Sequence, residues 1–163
     1  MIEDAHLELV SRWLGDKENY QWLDFGAGQQ VIARTALALM RQRELHCFHL
    51  QRVEENGPPV GIVALSNISP NFRSAMLWYV LGEKRHGGKG IMGRGVARML
   101  RHAFGSLGLH SVQAWCVAGN TPSLRILEKS GFQLIGRQRE CHFIDGQLLD
   151  RLLYDLLARE FMR

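Results

Sequence analysis

Apolar side chains recur along this chain with two alternating periods, and the switches between them outline its elements. Leu7, Val10, Trp13 and Leu14 fall at helical spacing and predict a first helix over residues 3 to 14. An aromatic and acidic stretch follows, with Asp16, Glu18, Tyr20, Trp22, Asp24 and Phe25, before Gly26 and Gly28 interrupt the chain. A second helix is expected over residues 29 to 43. Residues 45 to 53, 60 to 67 and 75 to 81 read as strands, with Glu55-Asn56-Gly57-Pro58 as the turn between the first two. Such short connections give an antiparallel meander.

From Ile91 the period becomes helical again. Met92, Val96, Met99, Leu100, Ala103 and Phe104 share one face, Arg94, Arg98 and Arg101 lie opposite, and Gly105 and Gly108 end the helix. Val112 to Val117 is a short buried strand, and its return after a helix predicts parallel pairing with the strand ending at Leu81. Thr121-Pro122 opens a helix that runs to Lys129, ahead of Gly131. The leucines of residues 147 to 161 suit a helix as well as a strand.

Composition adds the class. The 163 residues, 46% hydrophobic and 22% charged, carry no repeat or linker and predict a single domain over 1–163. No apolar run approaches the roughly 20 residues of a membrane span. The N-terminus has neither a cationic start nor an apolar core, so no secretory signal is expected. Cys47, Cys116 and Cys141 are odd in number and lack metal-type spacing, as free thiols in a reducing cytoplasm would.

Charge sharpens the picture. The 44 positions between Glu83 and Glu128 hold no acidic residue and seven Lys and Arg, so a +7 middle opposes a −3 remainder within the net +4. Inside this stretch, after an apolar run, sits Arg85-His86-Gly87-Gly88-Lys89-Gly90-Ile91-Met92. Glycine lets backbone N–H groups approach a ligand, and the helix that follows turns its positive end to the same point. This combination predicts a bound polyanion of the phosphorylated-cofactor kind. Gly88-Lys89-Gly90-Ile91-Met92-Gly93 fits the dinucleotide fingerprint literally, but no acidic residue follows to hold a ribose hydroxyl. A Walker loop needs Gly-Lys-Ser or Gly-Lys-Thr, which is missing. Nucleic acid is disfavoured because no aromatics are interleaved in the basic segment.

The arrangement that remains resembles the GCN5-related N-acetyltransferases, the GNAT family. Their acetyl-CoA loop has Gln or Arg, two residues, Gly, one residue, then Gly or Ala; Arg85, Gly88 and Gly90 satisfy it. A second motif, Asn, a short helix and Gly-Phe, stands here as Asn120 through Gly131-Phe132. The tail with Asp145-Gly146, Asp150 and Tyr154 is similar to the closing hairpin of the RimJ/RimL-like subgroup. The resemblance is close from Gly61 to Tyr154 and loose before. It implies an α/β fold with a mixed, V-split sheet of about six strands and helices on both faces. The family's usual first strand has no counterpart before the first helix, so it is either absent or replaced.

The same resemblance implies acetyl transfer from acetyl-CoA to a primary amine, a small molecule or a protein N-terminus, by direct attack and without a metal. A CoA-binding module without catalysis is the alternative, and a homodimer is left open. The backbone of Trp78, Tyr79 and Val80 would pair with the pantetheine arm, and His86, Gly87, Gly88, Lys89, Gly90 and Ile91 would cradle the pyrophosphate. Arg85 and Lys89 either touch phosphate or form a solvated rim. Asn120 is either a pantetheine partner or a helix cap. Many members carry a tyrosine seven residues after the motif asparagine as the acid; Leu127 stands there, and Ser123 matches the serine of the RimL-like subgroup. His142 occupies a hairpin position where that subgroup has glutamate, so it is a candidate base beside a plainly structural reading. Asp16, Glu18 and Asp24 with Tyr20, Trp22 and Phe25 would suit a cationic acceptor, or form an ordinary exposed loop.

Overall fold

A computed structural model of the chain describes residues 4–161; Glu3, where the first helix was expected to begin, lies outside them. Three helices come first: α1 (Asp4–Gly15), α2 (Lys17–Tyr20) and α3 (Arg34–Gln42). The meander follows as β1 (Cys47–Arg52), β2 (Pro59–Ser69) and β3 (Ser74–Leu81). After a single 3-10 turn at Lys84–His86 come α4 (Ile91–Arg101), β4 (Ser111–Val117), α5 (Thr121–Lys129), β5 (Gln133–Ile144), β6 (Gln147–Leu157) and α6 (Ala158–Phe161). No helix among the described residues is long and apolar enough to cross a membrane.

The six strands form one sheet in the order β1-β2-β3-β4-β6-β5. Every neighbouring pair is antiparallel except β3 and β4, which run parallel as their separation by a helix requires. Among the described residues no strand precedes α1, so β1 is the sheet's first edge.

Alternation along the strands divides the core in two. From β2, Ile62 and Ala64 face α1 and α3, where Leu7, Val10, Trp13, Leu14 and Leu37 are buried. Val63 and Leu65 face α4, against Val96, Met99 and Leu100. β2 is buried without interruption from Val60 to Ser66, the mark of a central strand covered on both sides. Each such apolar side chain contributes about 1.5–3 kcal/mol when buried, which outweighs local propensity.

That imbalance explains where sequence and structure part. The second helix begins only at Arg34, because Gly26 and Gly28 adopt positive φ and Phe25 N–H donates to the Gln29 carbonyl. The chain through Gln30 to Ile32 then belongs to no helix or strand, and Ile32 is buried. Helix α4 ends at Arg101 and widens into one π-type turn, with Leu107 N–H bonded to the His102 carbonyl. Residues 147 to 157 resolve as a strand, because β6 pairs with β4 on one side and β5 on the other.

Gly82 joins β3 to the glycine loop and is packed against Trp13; a Cβ there would lie 2.1 Å from the indole. The ring is 3% exposed and its Nε1 donates to Glu83, so it has nowhere to move. Gly82→Ala should therefore cost about 3 kcal/mol by overpacking. Gly15→Ala, with open space and ordinary φ, should be neutral or slightly stabilising. Denaturant midpoints of the two variants check the contrast.

Candidate active site

The parallel joint between β3 and β4 consists of three residue pairs, Ser74–Ser111, Ala75–Val112 and Met76–Gln113. Beyond them the strands diverge, β3 following β2 and β4 following β6. Residues 77 to 81 and 114 to 117 thus line a V-shaped slot with unpaired backbone groups along its walls. Trp78, Tyr79 and Val80 lie on that open edge.

The mouth of the slot is the glycine loop. Gly88 and Gly90 have φ of +74° and +70°, the left-handed region that favours glycine. Gly90 caps α4 with no side-chain acceptor, so the first N–H groups of the helix point outward unsatisfied. Arg94 donates to the Lys89 carbonyl at 3.0 Å and braces the loop from behind. Arg85 and Lys89 are exposed at its rim, and His86 carries a buried Nδ1 without a partner. Donors, positive helix end and orphaned imidazole together fit an anionic ligand of pyrophosphate size.

Across the slot, the Tyr79 hydroxyl lies 2.8 Å from Ser123 Oγ and 3.0 Å from the Ser123 carbonyl. One strand wall is therefore tied to the first turn of α5. Burial pushes the Tyr79 hydroxyl up, partly offset by its bond to Ser123, so it stays protonated and available to donate. Asn120 uses Oδ1 to cap α5 through Ser123 N–H, at 3.4 Å. Cys116 is buried, and desolvation pushes its thiol up to about 11, as a core thiol rather than a nucleophile. Leu127, where the family's tyrosine is often found, is 1% exposed in the core.

On the opposite face of the sheet a cavity of about 630 Å³ opens between the slot and α3. Trp78 and Trp115 flank it, with Phe25 edge-on to Trp78 at 5.7 Å and Met76 on the floor. Trp78 Nε1 donates to Ser66 Oγ at 2.7 Å, which fixes its ring beside the irregular pairing between Ser66 and Ser69. His46 also lines this cavity, and its Nδ1 is buried without a partner. Burial, then the nearby Arg43, holds its imidazole below the ordinary 6.5.

A family model described as an acetyltransferase (GNAT) domain matches residues 1–133. The chain belongs to the GNAT family. Over 109 residues it is 31% identical to the uncharacterized N-acetyltransferase p20 of Bacillus licheniformis, covering 67% of this chain and 61% of p20. The match thus spans about three-fifths of that relative's length. Its fold is that of the spermidine N-acetyltransferase from Vibrio cholerae in complex with CoA and spermine, at TM-score 0.87 and 19% identity, covering 99% of this chain and 95% of that one. Mycobacterium smegmatis RimJ in complex with CoA-disulfide aligns at TM-score 0.78 and 24% identity, covering 99% and 82%.

In this GNAT chain two members of the expected acidic cluster, Asp16 and Asp24, are already committed, while Glu18 is exposed. Asp16 caps α2 through Glu18 N–H, and Lys17 pairs with Asp145. Tyr20 lines a separate recess of about 260 Å³ beside the β5–β6 hairpin. Asp24 does reach the main cavity, but its carboxylate meets Arg151 at 2.6 Å and accepts from Gly26 and Gly28 N–H. Burial alone would raise the carboxyl; the Arg151 and backbone donors overcome it and hold it below its usual range.

His142 belongs to the same knot. It is 2% exposed, its Nε2 lies 2.6 Å from the Gln21 carbonyl, and its Nδ1 meets Arg151 Nη2 at 2.9 Å. Arginine only donates, so Nδ1 is the acceptor and Nε2–H the donor. Neither nitrogen is left for an amine, which opposes the expected base role. Burial lowers its pKa, against the Gln21 carbonyl that raises it. Nothing in the bare spacing announced Arg151, which also lies 4.3 Å above the Trp115 ring.

Arg151 therefore holds Asp24, His142 and Trp115 at once. The side chains of Arg151 and Asp24 are 15% and 10% exposed, against 58% and 65% for Lys17–Asp145. An exposed pair contributes about 0–1 kcal/mol, whereas removing one partner of a buried pair costs about 3–5 kcal/mol. Arg151→Leu should lose stability in the latter range, and Lys17→Ala almost none. Urea unfolding of the two variants is the check.

Proposed function

We propose that this chain moves an acetyl group from acetyl-CoA to a primary amine by direct attack, with no covalent enzyme intermediate. The observation that carries the reading is the Tyr79–Ser123 hydroxyl pair on one side of the slot, with an aromatic cavity on the other. Acetyl-CoA brings its thioester to the slot, its pyrophosphate on the loop from Arg85 to Ile91 and its arm along Trp78 to Val80. The acceptor nitrogen, entering from the cavity between Trp78 and Trp115, forms the new C–N bond at the thioester carbonyl. The C–S bond breaks, and the departing thiolate takes a proton.

Ser123 faces that sulfur with Tyr79 behind it. When the phenol donates to Ser123 Oγ, the serine proton is free to donate to sulfur, and the phenol can replace it in turn. A hydroxyl that many family members carry on the helix comes here from the strand. Tyr79→Phe and Ser123→Ala should each lower kcat, by about a hundredfold for the group that donates to sulfur, with acetyl-CoA affinity unchanged. Gly90→Val, which puts a branched side chain at a left-handed position, should abolish acetyl-CoA binding instead. Stopped-flow turnover and calorimetry separate the two effects. Full kcat in Tyr79→Phe would remove the phenol from the reaction, and CoA binding without release from any amine would favour the non-catalytic module.

The acceptor's extra proton leaves through His46, the imidazole of the cavity that has a free nitrogen. Only its neutral form accepts a proton, and its pKa is held below 6.5. Activity should thus rise with pH along a limb below 6.5, and His46→Gln should erase that limb. The cavity's acid and guanidinium neutralise each other, so an N-terminal peptide or a monoamine with an apolar body fits better than a polyamine. Measured kcat/KM profiles with an N-terminal peptide, an aromatic monoamine and spermidine test both points. A profile unchanged in His46→Gln, or spermidine outperforming both other acceptors, overturns the respective assignment.

A further inference from the structure

A second cluster of reactive side chains lies at the other end of α4, far from the glycine loop. Cys47 and His49 are two residues apart on β1, so both leave the same face of the strand, towards α4. His102 stands where α4 widens into its π-type turn, a backbone irregularity that recurs at functional positions. One ligand atom from each residue lies within 4.8 Å of the others. Cys47 Sγ is 3.8 Å from His49 Nε2, and the His49 and His102 rings are 5.5 Å apart between centroids.

The surroundings hold these groups in place without occupying them. Gly95 lets β1 approach α4 closely, since a Cβ there would lie 2.6 Å from the buried Gln51 side chain. Gln51 in turn donates to the His49 carbonyl at 3.0 Å, bracing the strand at the second of its two ligands. Apart from the contact between Cys47 and His49, none of the three side chains has a hydrogen-bond partner among the described residues. All three are half-buried, and among the described residues no carboxylate pairs with either imidazole.

We propose that Cys47, His49 and His102 bind a divalent transition cation of the zinc class. With metal–sulfur and metal–nitrogen bonds of about 2.3 and 2.0 Å, tetrahedral ligands lie roughly 3.5 Å apart, so a shift of about 1 Å closes the site. One thiolate and two imidazoles select zinc, cobalt or nickel over magnesium and calcium, which require oxygen. The thiolate offsets the nearby Arg98 cation. The fourth position stays open to water or an outside donor, and the ion clips the edge strand to the end of α4. The 11 residues of α4, at about 1.5 Å each, keep this site apart from the loop at its N-terminus. It plays no part in the transfer reaction.

Cobalt(II) and zinc titrations of the untagged full chain, stripped with chelator, test the assignment. Cobalt should give a thiolate charge-transfer band saturating at one ion per chain, and zinc should displace it and raise Tm. Cys47→Ser should lose the band, while His49→Ala and His102→Ala should each weaken zinc binding by about tenfold or more. Cys141→Ser, on the exposed face of β5, should behave as the parent chain. The three ligand variants are judged separately, each with its circular dichroism. Absence of the band in the parent chain, or its survival in folded Cys47→Ser, overturns the site.

Discussion

Three ladder pairs between β3 and β4 hold the two halves of the sheet together, and everything functional depends on their being so few. On the outer sides, β3 pairs with β2 at seven positions and β4 with β6 at seven. A backbone hydrogen bond contributes about 1 kcal/mol net, so each strand follows its longer partner and the joint opens into the slot. Its unpaired N–H and C=O groups are a cost to the isolated chain that water or a ligand must offset. A fuller joint would make a more regular sheet with nowhere for an extended ligand to lie.

The alternation of a strand then puts the two faces of the proposed site on neighbouring residues. Tyr79 points to the α4 and α5 side, where the glycine loop and Ser123 sit, and Trp78 points to the cavity under α3. One residue along β3 separates the proposed proton donor from the proposed acceptor wall. Shifting its register by one residue would exchange them, which the buried Leu77 and Val80 forbid.

Features with short-range causes were legible in the sequence. The glycine loop, α4, the opening of α5 near Thr121-Pro122 and the meander all follow from neighbours within a few positions. The irregular run at 29 to 33, the strand at 147 to 157 and the knot around Arg151 were not, because their causes lie elsewhere in the chain. Arg151 meets Asp24 across 127 positions and His142 across nine, and only folding brings them together. Likewise, Cys47 and His49 lacked a metal-like pattern until α4 brought His102 beside them. Leu127 left the hydroxyl donor incomplete in the motif, and Tyr79 had been valued for its backbone alone.

The charge pattern ends in an asymmetry of use. In the basic middle, Arg85 and Lys89 remain exposed and without acidic partners, so the field at the loop persists for a polyanion. Of the acidic groups in that region, Asp16 caps a helix, Asp24 pairs with Arg151 and Asp145 with Lys17, which leaves Glu18 exposed. On the proposed acceptor side this leaves mainly ring surface and the His46 imidazole, which would discriminate by shape and proton state rather than by long-range attraction. A neutral amine loses little on entering such a cavity, whereas an ammonium must surrender its hydration without a carboxylate in return. Selecting the nucleophilic form of the acceptor is thus built into the desolvated aromatic wall, before any base acts.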